Sequence, residues 1–139
     1  VLAVDISSIA LRRAREYCGD RPNVDFLEWD LRQDPIAEHF DLIVAIGVLE
    51  YLTRPKTLRA ACLRIVKALK PGGYLLVGNT VAVGIENRWW ASYLMRGTWI
   101  NKYVAGHSEL TVVDVSLDDC LWPFEHVLLQ KQPITAPMR

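Results

Sequence analysis

No apolar run in the sequence approaches the roughly 20 residues that a membrane-spanning helix needs, so no membrane partner is expected. Neither sign of charge is in excess, because 16 Lys and Arg stand against 16 Asp and Glu. Nucleic-acid surfaces normally carry a basic excess, and a nucleic-acid partner is therefore not expected. The three cysteines, Cys18, Cys62 and Cys120, have no Cys-x-x-Cys spacing, and the three histidines form no zinc-like cluster with them. A disulfide framework and a metal centre are both disfavoured, and reduced thiols suit the cytoplasm. There is no internal repeat or low-complexity tract, and nothing in the pattern bears on oligomeric state.

What is present is an alternation of strand and helix signals. Val1-Leu2-Ala3-Val4 is a continuous apolar run ending at Asp5, as in a parallel strand covered on both faces. Ser7 is placed as an N-cap, and Ala10, Leu11, Ala14, Tyr17 and Cys18 behind it share one helical face. Residues Val24 to Trp29 alternate and close at Asp30, and Phe40 to Ile46 is the strongest strand in the chain. Thr53 is the expected cap of the next helix, whose stripe is Leu58, Ala61, Cys62, Ile65, Val66 and Leu69. Pro71-Gly72-Gly73 is expected to stop that helix ahead of a strand from Tyr74 to Val77. These alternations specify a mostly parallel sheet with helices on both faces.

Beyond Val83 the composition changes. Residues 86–103 hold Trp89, Trp90, Tyr93, Trp99 and Tyr103 and read as one or two short helices. Leu110 to Val115 and Phe124 to Leu129 then read as an antiparallel pair at one edge of the sheet. One α/β domain over 1–131 is expected, with 84–109 as a substrate-side insertion and 132–139 as a loose tail. Because the chain starts inside what reads as a buried strand, it is expected to be a fragment.

In an open parallel sheet, ligands bind outside the carboxyl ends of the strands. Asp5, Asp30 and the Ile46-Gly47 step all fall at such ends and are expected to meet along one rim. Asp5 is placed to accept hydrogen bonds from two vicinal ribose hydroxyls, in a nicotinamide dinucleotide or an adenosyl cofactor alike. Asp30 is placed to accept from an adenine amino group, with Ile6 or Leu31 packing on the ring. The alternatives are a helix N-cap or surface-loop acid for Asp5 and a helix-entry acid for Asp30.

Three stretches carry a family resemblance. Phe40-Asp41-Leu42-Ile43 with Val48-Leu49-Glu50-Tyr51-Leu52 resembles the fourth-strand motif of class I S-adenosylmethionine-dependent methyltransferases. Leu69-Lys70-Pro71-Gly72-Gly73 resembles that family's turn into the fifth strand, and Val4-Asp5-Ile6-Ser7 with Ala10-Leu11 and Ala14-Arg15 its second-strand segment. Within the type 11/12 group, the Val48–Leu52 segment and the tryptophan-rich stretch look most like nodulation-protein-S-type enzymes, which methylate an amine on a small glycan. The resemblance implies a Rossmann-like fold, S-adenosylmethionine as cofactor, and Asp5, Ile6, Asp30, Leu31, Ile46 and Gly47 as its contacts. It also implies that the family's first strand and glycine-rich loop are lacking here. That strand lies between those beginning at Val1 and Phe40, so a break in the ladder and low stability of the segment alone are expected.

Methyl transfer from a sulfonium is an in-line displacement that asks mainly for positioning in a dry site. On the acceptor side the candidates are Glu50, Tyr51 and His107, with Trp89, Trp90 and Tyr93 able to cage a cation or stack on a sugar. Glu50 can hold or deprotonate an amine. His39 and His126 read as structural. The expected function is methyl transfer to a small-molecule amine or hydroxyl, by a longer parent chain. The competing readings are an NAD(P)-dependent oxidoreductase and a degenerate, non-catalytic methyltransferase module.

Overall fold

A computed structural model describes residues 1–19, 21–33, 39–81, 91–118 and 124–133, with side chains in the third helix described from residue 97 onward. The elements are β1 (Leu2–Asp5), α1 (Ser8–Cys18), β2 (Asp25–Glu28), β3 (Phe40–Ile46), a 3-10 turn (Leu49–Tyr51), α2 (Pro55–Ala68), β4 (Leu69–Thr80), α3 (Ala91–Ala105), β5 (Leu110–Asp118) and β6 (Phe124–Lys131). They fall into two compact units, Val1–Pro35 and Ile36–Arg139. Their strands form two separate sheets, β1-β2 and β3-β4-β6-β5.

In the first unit β1 and β2 pair in parallel, from Leu2 opposite Asp25 to Asp5 opposite Glu28. Helix α1 begins where Ser7 Oγ accepts the Ala10 N–H at 3.2 Å, which satisfies one of the donors a helix start leaves open. Gly19 closes the helix, its N–H donating to the Arg15 carbonyl. Arg15 also ties α1 to β2: its guanidinium lies 5.3 Å from the Phe26 ring centre, and Nη2 donates to the Phe26 carbonyl.

The second unit is a four-stranded sheet in the order β3-β4-β6-β5. β3 and β4 run parallel, with Ile46 opposite Gly78, while β6 is antiparallel to both of its neighbours. Ala45, Leu75, Val77, Val127 and Leu129 are buried on one face of this sheet. Helix α2 meets that face through Cys62, Ile65 and Val66, and α3 through Val104. Complete burial of a Leu or Val side chain stabilises by roughly 1.5–3 kcal/mol, so this one face carries most of the unit's hydrophobic energy. Helices were expected on both faces. Within this unit α2 and α3 share one, and Leu42, Val44 and Ile46 on the other side of β3 stay half-exposed.

Three local expectations shift. Helix α2 is capped at Arg54 with Pro55 in its first turn, instead of at Thr53, because the fixed φ of proline favours that start. The helix ends at Ala68, ahead of the Pro-Gly-Gly turn, and β4 is already extended at Leu69. Lys131 at the end of β6 adds a cap to that helix end: its Nζ donates to the carbonyls of Val66 and Leu69 at 2.8 and 2.9 Å. Pro71-Gly72-Gly73 instead forms an irregularity inside β4, between the Phe40–Leu69 and Leu42–Tyr74 pairs. The third shift is the length of α3, a helix of 15 residues where one or two short ones were expected. Trp89 and Trp90 lie outside the described residues.

Helix α3 sits on the end of β4 without an intervening side chain. A Cβ added at Gly97 would stand 1.8 Å from the Thr80 carbonyl oxygen and 2.8 Å from its carbon. None of the described helices is long and apolar enough to cross a membrane, and no group of metal-ligating side chains occurs among the described residues. Cys62 is buried and free, and burial pushes its thiol up to about 11.

Two outcomes are expected. Gly97→Ala should lower stability by roughly 1–3 kcal/mol or more, the range of an overpacked contact, seen as a reduced Tm of the full-length protein; an unchanged Tm would refute the close approach. In the native state at pH 8, iodoacetamide should label Cys62 at least roughly ten times more slowly than the half-exposed Cys18, since the thiolate is the nucleophile. Equal rates, read by mass spectrometry of the peptides, would contradict the burial.

Candidate functional site

In the first unit the two acids stand at the same, carboxyl, end of the β1-β2 ladder. Asp5 is the last residue of β1 and is exposed. Its Oδ1 accepts the Ser7 N–H at 2.7 Å, which fixes the carboxylate over the start of α1. Among the described residues Oδ2 has no partner, so one oxygen remains available to a ligand hydroxyl. Ile6 beside it is 56% exposed.

Asp30 is differently placed. Arg32 grips it with Nε at 2.9 and 3.0 Å and Nη2 at 2.8 Å, while the Arg32 N–H donates to Oδ1 and Gln33 Nε2 to Oδ2. A carboxylate has about four lone-pair sites, and these donors fill them. The Arg32 side-chain bonds, then its backbone N–H, hold the Asp30 carboxyl far below the usual carboxylate range. An adenine amino group can reach Asp30 only by displacing one of these donors. Asp-x-Arg spacing in a polar loop gave the sequence reading no warning of this, since no periodicity marks a fork across two residues. Leu31, between them, is half-buried.

In the second unit the carboxyl ends of β3 and β4 adjoin. Gly47, at φ 64°, turns the chain out of β3, and its N–H donates to the Gly78 carbonyl at 2.8 Å. A positive φ of this kind strains any side-chain-bearing residue. Ile46 just before it is 43% exposed. The 3-10 turn that follows sends Glu50 inward and Tyr51 outward, at 5% and 71% exposure. Glu50 Oε2 accepts the Thr80 N–H at 3.3 Å, so this acid ties the turn to the end of β4.

His107 lies elsewhere. It follows α3 and precedes Leu110, which pairs with Lys131 beside the start of β4. That is the amino end of the parallel strands, opposite to Glu50. Its Nδ1 accepts the Glu109 N–H at 3.4 Å, and its ring lines the apolar interior with Leu49, Cys62 and Val104. Trp89 and Trp90 lie outside the described residues, as does the side chain of Tyr93. Trp99 and Tyr103 stack on α3 with ring centres 5.4 Å apart.

The end of β4 holds a buried polar cluster, of which the sequence offered only Asn79, with Gly78, as able to touch substrate. Asn79 Nδ2 donates to Asn101 Oδ1 at 2.7 Å, and Asn101 Nδ2 donates to the carbonyl and Oε1 of Glu125. Asn79 and Asn101 are both essentially inaccessible. The signal for them was present in the stripes. Among the described residues of α3, Gly97, Ile100, Asn101 and Val104 are covered, and Asn79 continues the Leu75, Val77 alternation of β4. An amide in either stripe costs about 1–3 kcal/mol for each group left unpaired. Among the described residues, Asn79 Oδ1 is so left.

Residues 1–75 match a family model described as "Methyltransferase domain". Nodulation protein S of Rhizobium fredii is 29% identical over 86 residues, covering 62% of this chain and 49% of that protein. A malonyl-[acyl-carrier protein] O-methyltransferase of Halalkalibacterium halodurans is 40% identical over 78 residues, covering 53% and 28%. The chain thus spans about half or less of the curated relatives it matches. Its fold superimposes on the N-methyltransferase NodS of Bradyrhizobium japonicum in complex with S-adenosyl-L-homocysteine, with a TM-score of 0.79, 22% identity, and coverage of 94% of this chain and 65% of that one. With its strand order, its strand-end acids and the family match over more than half its length, this chain belongs to the methyltransferase-domain family.

Proposed function

We propose that this chain forms the adenosyl-binding and acceptor-facing part of an S-adenosylmethionine-dependent methyltransferase acting on a small-molecule amine or hydroxyl, with activity residing in the longer parent protein. The observation that carries the reading is Asp5. Its carboxylate closes β1, is pinned through Oδ1 to the Ser7 N–H, and keeps Oδ2 for a donor. Ribose hydroxyls are such donors, and this placement is the one open α/β folds use for them.

The donor set fits the cofactor. Asp5 holds the ribose, Ile6 and Leu31 offer apolar surface to the adenine, and Asp30 accepts from its amino group once a donor of Arg32 or Gln33 is displaced. The bound cofactor supplies an activated methyl on a positively charged sulfur. The protein's own part is to orient and to exclude water. Glu50 braces the turn after β3 against Thr80, and Tyr51, exposed beside it, is the side chain that meets the acceptor. Residues 84–109, one helix of which is α3, form the substrate side. A cytoplasmic location follows from reduced thiols and a soluble cofactor.

Titration calorimetry of S-adenosylhomocysteine into the full-length protein tests the reading. Binding is expected, and Asp5→Ala should weaken it at least roughly tenfold, the worth of a hydrogen bond to a charged group. An intact, folded protein that binds none would leave the degenerate module as the better description. Arg32→Met should tighten binding roughly two- to five-fold by releasing Asp30 from an exposed ion pair. Unchanged or weaker binding would mean that Asp30 serves only its own turn.

A further inference from the structure

Helix α2 and its flanks carry charge of one sign only. Between Tyr51 and Ile85 the sequence holds six Lys and Arg and no Asp or Glu, although the chain as a whole is neutral. Lys70, just past the helix, is held by Asp41 at 2.8 Å. Lys56, Arg59 and Lys67 are exposed, and among the described residues no carboxylate pairs with any of them. At about 3.6 residues per turn these three fall on one outward stripe of the helix. Leu63 stands in the middle of that stripe and is 46% exposed. The opposite face, with Leu58, Ala61, Cys62, Ile65 and Val66, is the one that is buried, so Leu63 takes no part in the core.

The energetics of the helix itself do not account for this face. A helix start favours acids and disfavours cations, because its open N–H groups carry partial positive charge. Here the first turn has no acid, Arg54 is the N-cap residue without a side-chain cap bond, and Lys56 follows directly after Pro55. A solvated face gains from acid–base pairs one turn apart, and α2 holds no acid to make one. Cations around an exposed apolar residue do suit an interface, where charge steers the encounter and the apolar centre is desolvated. Their repeat of three to four residues along the stripe matches carboxylates on one face of a second helix laid alongside. A phosphate backbone offers nothing apolar to Leu63, and a lipid surface asks for a broad apolar face, which α2 has already buried. We propose that the outer face of α2 docks an acidic helix of a partner protein, with Lys56, Arg59 and Lys67 pairing its carboxylates and Leu63 meeting an apolar residue between them. None of these side chains belongs to the cofactor or acceptor residues above, so docking and methyl transfer can fail separately.

The test titrates the full-length protein into a fluorescent synthetic helix that repeats glutamate at three- and four-residue spacing around one leucine. A scrambled peptide of the same composition, duplex DNA and phosphatidylserine vesicles are run beside it. Anisotropy should report a Kd below roughly 1 mM for the matched peptide, weakening as salt is raised past roughly 0.15 M. The triple variant Lys56→Glu, Arg59→Glu, Lys67→Glu should bind it at least roughly tenfold more weakly. It should instead bind the same peptide with lysine in place of glutamate, a reversal that loss of structure does not produce. Leu63→Gln, an exposed position, should weaken binding at least roughly threefold by removing the apolar contact. No binding of the matched peptide, equal binding of the scrambled one, or tighter binding of DNA or vesicles through the same residues overturns the proposal. The triple variant should bind S-adenosylhomocysteine as the wild type does. Failure of the wild type to bind it strikes the methyltransferase reading and leaves the docking face standing.

Discussion

The contact on which the second unit depends is a backbone-to-backbone one: α3 rests on the last carbonyl of β4, with Gly97 against Thr80. No side chain stands in that approach, so the strand end sets how near the helix lies. Everything polar near the site inherits this geometry. Asn101, one turn further along α3, can reach Asn79 only because the helix lies so close, and Glu50 can reach the Thr80 N–H only because the strand end is held still.

The same constraint explains why amides stand in an otherwise apolar layer. The face of Leu75, Val77, Val127 and Leu129 is dry and well packed, and a buried amide there is tolerable only when its hydrogen bonds are made. The cluster meets that condition at every atom but one. Family membership favours an adenosyl over a nicotinamide cofactor at the ligand end of the sheet.

Local features were readable in the sequence and distant ones were not. The Ser7 cap, the extent of β3 and the strand-end position of Asp5 follow from residues within a few places of one another, and each stands as expected. Pro71 follows the end of α2 by three residues and was readable as its stop, but the cap that Lys131 supplies, 65 positions from Val66, was not. Asp30 was rightly placed at a strand end, but its engagement by Arg32 depends on a loop conformation that carries no pattern. Asn101 was visible as a polar residue in a helix, yet only the fold reveals that it belongs to the covered stripe. His107 was grouped with the acceptor side because loops after a sheet often fold over its site, whereas the strand register puts it at the other end.

The Lys131 cap and the place of β6 have a consequence for synthesis. β6 is made after both of its neighbours, β4 and β5, yet it lies between them. At about 5–20 residues per second on the ribosome, β4 waits seconds for the neighbour that completes its second edge. During that interval the carbonyls ending α2 also lack the ammonium that later covers them. The unit therefore cannot assemble in the order in which it emerges, and a chain interrupted before residue 131 would leave a strand edge and a helix end open together.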